Sequence, residues 1–371
     1  MVAMRRLCLV VAAALIAAQP AFAGPLKGWG ADDHGQLDGG IFNYQAQATP
    51  LNIMGGVRAA GAGQNHSLAV KKNGTVWAWG RNGGLLGNGD TADSATPVQV
   101  AGLSNAVAVA GSWTHSMALL SDGTVWAWGG NDSGQLGNGT TAPSLVPVQV
   151  SGLANIVAID AEYAQSFALA RDGTLWAWGE NGWGQVGNGT TIDQLSPVAV
   201  LSGVKAVAAG ESHTLALKTD GTVWVWGNNW FGQLGLGTQT DGVQSPTQVP
   251  GLAGMTAIGA GYDHSLAVAA NGTVLAWGEN LYGQVGLPGG YADEFRTSPV
   301  PVVGPTGVVA VTGGWTFSLA LGADGHYWGW GADGSGQLGD GTANGEAQAP
   351  ALGLAHGLGS LVAGQGHTLG L

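Results

Sequence analysis

The sequence predicts an all-β chain folded as a seven-bladed β-propeller of four-stranded blades. Three observations predict it: a tryptophan motif that returns about every fifty residues, strand-type alternation throughout, and two termini that supply complementary halves of one blade.

The motif is Trp-x-Trp-Gly. It stands at Trp77–Gly80, Trp126–Gly129, Trp176–Gly179, Trp224–Gly227 and Trp328–Gly331, with Leu275–Gly278 as a variant and Lys27–Gly30 as a degenerate first copy. Its second tryptophans are 48 to 53 residues apart, the length of one four-stranded blade. In one unit, Ala106–Ala110 and His115–Leu120 read as two alternating strands, and Ser121-Asp122-Gly123 as the hairpin turn that follows. Thr124–Trp128 is the third strand, Gly134–Gly139 a glycine-rich passage, and Pro147–Val150 the fourth strand. No segment carries a helical stripe.

The chain stops at His367–Leu371, a second strand with no turn or tryptophan strand after it. Near the other end, Pro25–Gly30 reads as that missing third strand and Pro50–Met54 as the fourth. A blade shared between the termini closes the ring and removes exposed sheet edges. The Ala/Gly-rich strands (Ala59–Gly63, Val207–Gly210, Val362–Gly364) suit the crowded axis.

Ahead of the repeats, Arg5 and Arg6, the apolar run Leu7–Ala18 and the small residues of Ala21-Phe22-Ala23 have the form of a secretory signal peptide over residues 1–23. The expected mature chain is residues 24–371, secreted or periplasmic, monomeric, and without a membrane-inserted segment. Cys8, the single cysteine, leaves with the signal, so disulfides and thiolate chemistry are excluded from the mature protein. The 23 acidic against 11 basic residues oppose binding to nucleic acid and to anionic lipid. The 68 glycines accompany a globular apolar fraction of 45%, which points to repeated tight turns rather than disorder.

The units resemble the repeats of the regulator of chromosome condensation family. The likeness rests on His-Ser/Thr-Leu-Ala-Leu, then Asp-Gly-Thr-Val, Trp-x-Trp-Gly and Gly-Gln-Leu-Gly, seen whole at His213–Gly235 and nearly whole at His66–Gly89. The resemblance implies the seven-bladed fold but leaves function open, because one fold hosts many activities. The family's namesake is a nuclear exchange factor for a small GTPase, and other members bind proteins. The secreted β-lactamase inhibitory protein II is similar in architecture and binds a protein through loop aromatics. The present chain departs from it in keeping the Gly-Gln-Leu-Gly passages, so that target does not carry over.

No enzyme chemistry, cofactor or metal is expected from the repeated polar residues. His66, His115, His213, His264 and His367 share one repeat position, which Gln165 and Phe317 fill in two other units. Equivalent positions are spread round a ring, whereas a metal needs convergent ligands, so these histidines read as structural, bonding backbone at the strand start. The Asp-Gly and Asn-Gly turns lack the spaced acids of a calcium loop. No glycine-rich passage leads from a strand into a helix with Lys-Ser/Thr.

Function is expected where the repeats disagree. The loops after the first and third strands of each unit emerge on one face and vary. They carry Trp113, Tyr163, Trp183, Trp230, Phe231, Tyr262, Tyr282 and Trp315, with Glu162, Glu211, Asp263 and Asp132 among them. Trp and Tyr in a polar surround is the composition of a binding hot spot, and the acids suit a neutral or basic partner. The reading is a protein-binding propeller; a guanine-nucleotide exchange factor and a carbohydrate-binding lectin are its rivals. The long segment Leu287–Pro299 is expected to project from the opposite face or the outer rim as an insertion.

Overall fold

The computed structural model of the chain describes residues 24–37, 40, 42–287, 294–345 and 348–371. The expected signal peptide, residues 1–23, lies outside them, as do residues 288–293 of the long segment. Among the described residues every regular element is a β-strand, and the strands form seven antiparallel sheets of four. The all-β seven-bladed propeller is therefore the fold.

Blade one holds β3 (Val57–Ala62), β4 (His66–Lys71), β5 (Val76–Gly80) and β6 (Ser94–Gln99). Blade two holds β7 (Ala106–Gly111), β8 (His115–Leu120), β9 (Val125–Gly129) and β10 (Ser144–Gln149). Blade three holds β11 (Ile156–Glu162), β12 (Gln165–Ala170), β13 (Leu175–Gly179) and β14 (Gln194–Leu201). Blade four holds β15 (Val204–Ala209), β16 (His213–Lys218), β17 (Val223–Asn229) and β18 (Thr240–Gln248). Blade five holds β19 (Met255–Ala260), β20 (His264–Ala269), β21 (Val274–Glu279) and β22 (Phe295–Pro301). Blade six holds β23 (Val308–Gly313), β24 (Phe317–Gly322), β25 (Tyr327–Gly331) and β26 (Gln348–Leu352). In the last sheet, β27 (Leu361–Ala363) and β28 (His367–Gly370) join β1 (Leu26–Asp32) and β2 (Asn43–Met54) in the order β2-β1-β28-β27. There Trp29 stands opposite Thr368 across the β1–β28 ladder.

The Ala/Gly-rich first strands are innermost and crowd one another. A Cβ added to Gly111 would stand 2.8 Å from the Gly63 amide nitrogen of the preceding blade. The second strands are buried end to end, as in His66–Val70.

One polar arrangement joins all seven blades. The second tryptophan of each repeat (Trp29, Trp79, Trp128, Trp178, Trp226, Trp277, Trp330) is fully buried. Its indole N–H donates at 2.8–3.0 Å to a carbonyl in the glycine-rich passage of the preceding blade. The same carbonyl accepts the hydroxyl of the residue after the histidine position, at 2.7–2.9 Å. Trp178 and Ser166 thus both hold the Gln135 carbonyl. Satisfying that buried acceptor twice removes the cost of an orphaned carbonyl and fixes the blade spacing.

The repeated histidines are structural, but their partner is not backbone as the sequence suggests. In five blades the histidine Nε2 meets the serine hydroxyl of a neighbouring blade at 2.7–3.1 Å. Each such serine spends its proton on the passage carbonyl, so the imidazole must donate and is the neutral Nε2–H tautomer. Burial pushes His66, His115, His213 and His264 down to about 3 and His367 to about 4.

Of the two placements expected for the long segment, the described residues do not fit the opposite face and fit the outer rim. The segment joins β21 to β22, so its ends leave on the face that carries the variable loops, because antiparallel order puts every third-to-fourth connection there. Phe295–Pro299 itself belongs to the outer strand β22.

Candidate functional site

The variable face has two concentric bands. Loops between first and second strands surround the axis and carry Trp113, Tyr163, Glu211, Tyr262, Asp263 and Trp315. Connections between third and fourth strands lie further out and carry Trp183, Phe231 and Tyr282, with Trp230 just past β17.

The inner loops are tied to one another by backbone bonds between blades: Gln64 N–H to Ser112, Thr114 to Tyr163, Glu211 to Tyr262, Tyr262 to Gly314 and Trp315 to Gln365, all at 3.1–3.3 Å. Such a ring is pre-organised and loses little freedom on meeting a partner. Tyr163 sits at φ 47°, a strained left-handed conformation for a bulky residue. It is held there because its carbonyl also accepts the hydroxyls of Ser112 and Thr114 at 3.0 and 2.8 Å. The effect is to place the Tyr163 ring edge-on to Trp113, with centroids 5.3 Å apart.

Six of the eight expected aromatics gather as pairs across blade boundaries; Phe231 and Tyr282 stand outside these pairs. Trp183 meets Trp230 at 4.6 Å between centroids, and Tyr262 meets Trp315 at 5.4 Å. Trp230 is 51% exposed, Trp315 41% and Tyr282 40%, so a partner can reach them from solvent. Trp113, Tyr163, Trp183, Phe231 and Tyr262 are half-buried.

The acids separate into two kinds. Asp263 is not a surface group as expected: it is 8% exposed and accepts the Gln233 side-chain amide at 2.9 Å, because it lies at the blade junction beneath the rim. Burial first, then the charges of Glu211 and Glu279, pushes its carboxyl up to about 7. Glu211 does face the rim and accepts the Tyr262 hydroxyl. Its own carboxyl is raised by burial. Glu162 lies at the axial opening beside Trp113, Tyr262 and Trp315. Burial, with the charge of Asp160 next, raises it to about 8.

Sequence reading named Glu162 only as a neighbour, yet it breaks the repeat. Its position, three before the histidine slot, holds Gly63, Ser112, Gly210, Gly261, Gly314 and Gly364 in the other blades. Where that glycine stands before a histidine, as at Gly210, an added Cβ would collide with the imidazole. Blade three changes both positions together, and Gln165 fills the slot. Its side-chain amide donates to the carbonyls of Gly210 and Glu211 at 2.6 and 2.7 Å, replacing the missing loop-to-loop backbone bond. Also missed were the buried Asn82, Asn131, Asn181, Asn229 and Asn280. Their side-chain oxygens accept the Leu or Val amide inside each glycine-rich passage, as Asn131 does from Leu136 at 2.9 Å. The signal was an asparagine at a fixed offset after Trp-Gly.

The buried groups set an expected pH profile. The histidines are depressed below their ordinary value, so the unfolded chain binds more protons and stability falls as pH drops below that value. The carboxyls of Asp160, Glu162 and Asp263 are raised, so the folded chain binds more protons and stability falls as pH rises towards 7 or 8. The two trends oppose each other in mildly acid solution. Denaturant midpoints measured against pH are expected to form a plateau from about pH 5 to about pH 6.5, dropping steeply below about pH 4 and gently above about pH 7. A single maximum at pH 8 or above contradicts the assignment.

Fold and site together define a class: a repeat propeller with a pre-organised aromatic and acidic loop face. The description "Regulator of chromosome condensation (RCC1) repeat" matches residues 73–119, 122–170, 172–217, 220–268 and 271–321. A second description of that repeat matches residues 57–84, 106–135, 204–233 and 255–284. The chain belongs to the RCC1 repeat family. It is 38% identical over 84 residues to the probable E3 ubiquitin-protein ligase HERC4 of Rattus norvegicus, covering 22% of this chain and 8% of that protein. It is 39% identical over 75 residues to the ultraviolet-B receptor UVR8 of Arabidopsis thaliana, covering 19% of this chain and 17% of that one. The matched region is thus a small part of these relatives. Human WBSCR16 superposes with a TM-score of 0.82 at 21% identity, over 93% of this chain and 98% of that chain. Prp20p of Saccharomyces cerevisiae, described with its binding properties to Gsp1p and histones, gives 0.81 at 22% identity over 96% and 92%. At these identities the likeness is one of fold.

Proposed function

We propose that the chain is an exported, non-catalytic binding protein that grips another protein with the aromatic loops of one face. The observation that carries this reading is the set of three ring pairs, Trp113–Tyr163, Trp183–Trp230 and Tyr262–Trp315, presented by loops rather than by the repeated core. Rings with one exposed side, fixed in place and surrounded by polar groups, suit a binding hot spot. The test is capture from the native envelope and medium with residues 24–371, beside the variant with Trp113, Trp183, Trp230 and Trp315 changed to alanine. Loss of the captured protein with the variant supports the reading; equal capture defeats it. N-terminal sequencing of exported material tests the leader, with Gly24 as the expected first residue.

A second reading, guanine-nucleotide exchange on a small GTPase, is favoured by the fold shared with Prp20p, for which binding to Gsp1p is described. Acceleration of nucleotide release from a GTPase captured by the face would establish it over simple binding. Glycan-array binding without protein capture would favour the lectin alternative.

A further inference from the structure

We infer that the axial mouth of the variable face is a receptor for a basic side chain, Lys or Arg, carried by the partner protein. This rests on the proposed protein-binding role of the face and specifies the partner's chemistry.

The mouth is built from unlike parts. Trp113, Tyr262 and Trp315 supply aromatic surface, and Gln64 and Gln365 supply neutral polar groups. Glu162 alone puts a carboxyl at a level where five blades have glycine and one has serine. Glu211 stands one blade away, hydrogen-bonded to the Tyr262 hydroxyl that borders the opening. Aromatic faces with a carboxylate at their edge attract an organic cation through the ring quadrupole as well as through charge. A cation entering such a half-dry site is worth more than one on open surface.

The wider charge distribution fits the same occupant. Around the mouth, Glu180 and Glu279 are raised by burial, as Glu162 and Glu211 are, and Asp160 and Asp263 lie beneath them. By contrast Arg81, just past β5 on the variable face and two blades from Glu162, donates its guanidinium to Gln64 at 3.5 Å, while Lys71, Lys218 and Arg171 lie at or beside the turns between second and third strands, on the opposite face. Lys71 and Lys218 there sit over the rings of Trp77 and Trp224. A basic segment is drawn to the variable face and an acidic one is turned away.

The carboxyls also give the binding a signature. Glu162 titrates near 8, raised by burial and by Asp160, with Glu211 as a further contributor; Tyr163 faces it through a backbone bond that lowers it. An arriving cation favours the charged form, so binding at neutral pH expels a proton.

The probe is a fluorescein-labelled dodecapeptide of alternating Gly and Arg, with Gly/Gln and Gly/Glu peptides as comparisons, measured by anisotropy on residues 24–371. The Arg peptide is expected to bind best, and Glu162→Gln and Glu211→Gln each to weaken it about tenfold. Asp122→Asn and Asp220→Asn, exposed on the opposite face, serve as equal-charge controls and are expected to leave binding unchanged. Titration calorimetry in buffers of different ionisation enthalpy is expected to report proton release, absent in Glu162→Gln. Equal loss with the opposite-face controls, or no preference for Arg over Glu peptide, overturns the inference. Loss of native capture with the tryptophan variant but not with Glu162→Gln and Glu211→Gln keeps the protein-binding face and removes the basic partner. Circular dichroism of each variant reads folding independently.

Discussion

Trp178→Ala is expected to destabilise the propeller by about 3–5 kcal/mol, the range for removing a large aromatic from a packed core. Three effects add. The ring is fully buried against the cluster that includes Met117, Leu119, Val125 and Ile159, so its removal leaves a cavity at a blade junction. The Gln135 carbonyl loses its indole donor and keeps only Ser166. Blade spacing there loses the contact that sets it. Trp176, two residues earlier, lies on the same face of the strand but packs only at the edge of that cluster and is half-buried. Trp176→Ala is therefore expected to cost clearly less than Trp178→Ala. Denaturant unfolding of both variants checks this; equal costs would show that the junction latch does not hold the blades.

Trp230→Ala and Trp315→Ala are each expected to weaken binding of the captured partner by about 2–4 kcal/mol, roughly thirty- to a thousand-fold, with little change in the unfolding midpoint. Both rings combine an exposed side with a packed one. Trp230 leans on Trp183, and Trp315 on Tyr262, so each is already ordered before a partner arrives. Pre-ordering keeps the entropy cost low and makes truncation expensive. Leu354, 53% exposed in the connection on the opposite face, is the control: Leu354→Ala is expected to leave affinity unchanged. Equilibrium titration with purified partner reads all three. Affinity losses below twofold for both tryptophans would remove them from the interface.

The fold was legible because its determinants are local and repeated. Trp-x-Trp-Gly and the Asp-Gly turns mark the third strand of each blade, and the small residues of Ala106–Ala110 betray a crowded axis. The bonds between blades were not legible, because they join residues 29–54 positions apart or across the chain ends, such as Trp128 to Leu85 and Ser67 to His367. The histidine partner was misread for that reason: the serine it needs belongs to another blade. At the site, the aromatic residues could be read from their variable positions. Their pairing could not, since it depends on loops of adjacent blades meeting. Asp263 looked like a rim acid because burial of a loop residue leaves no periodic trace. Glu162 could have been found by asking which glycine of the repeat is missing.

Hydrogen–deuterium exchange of residues 24–371, alone and with the captured partner, tests the central claim most directly. Protection is expected at residues 112–114, 162–164, 211–212, 262–263 and 314–316, and in the outer loops around 183 and 230. The turns at 121–124, 171–174 and 219–222 on the other face are expected to exchange unchanged. Protection concentrated at those turns, with the aromatic loops unaffected, contradicts recognition by this face.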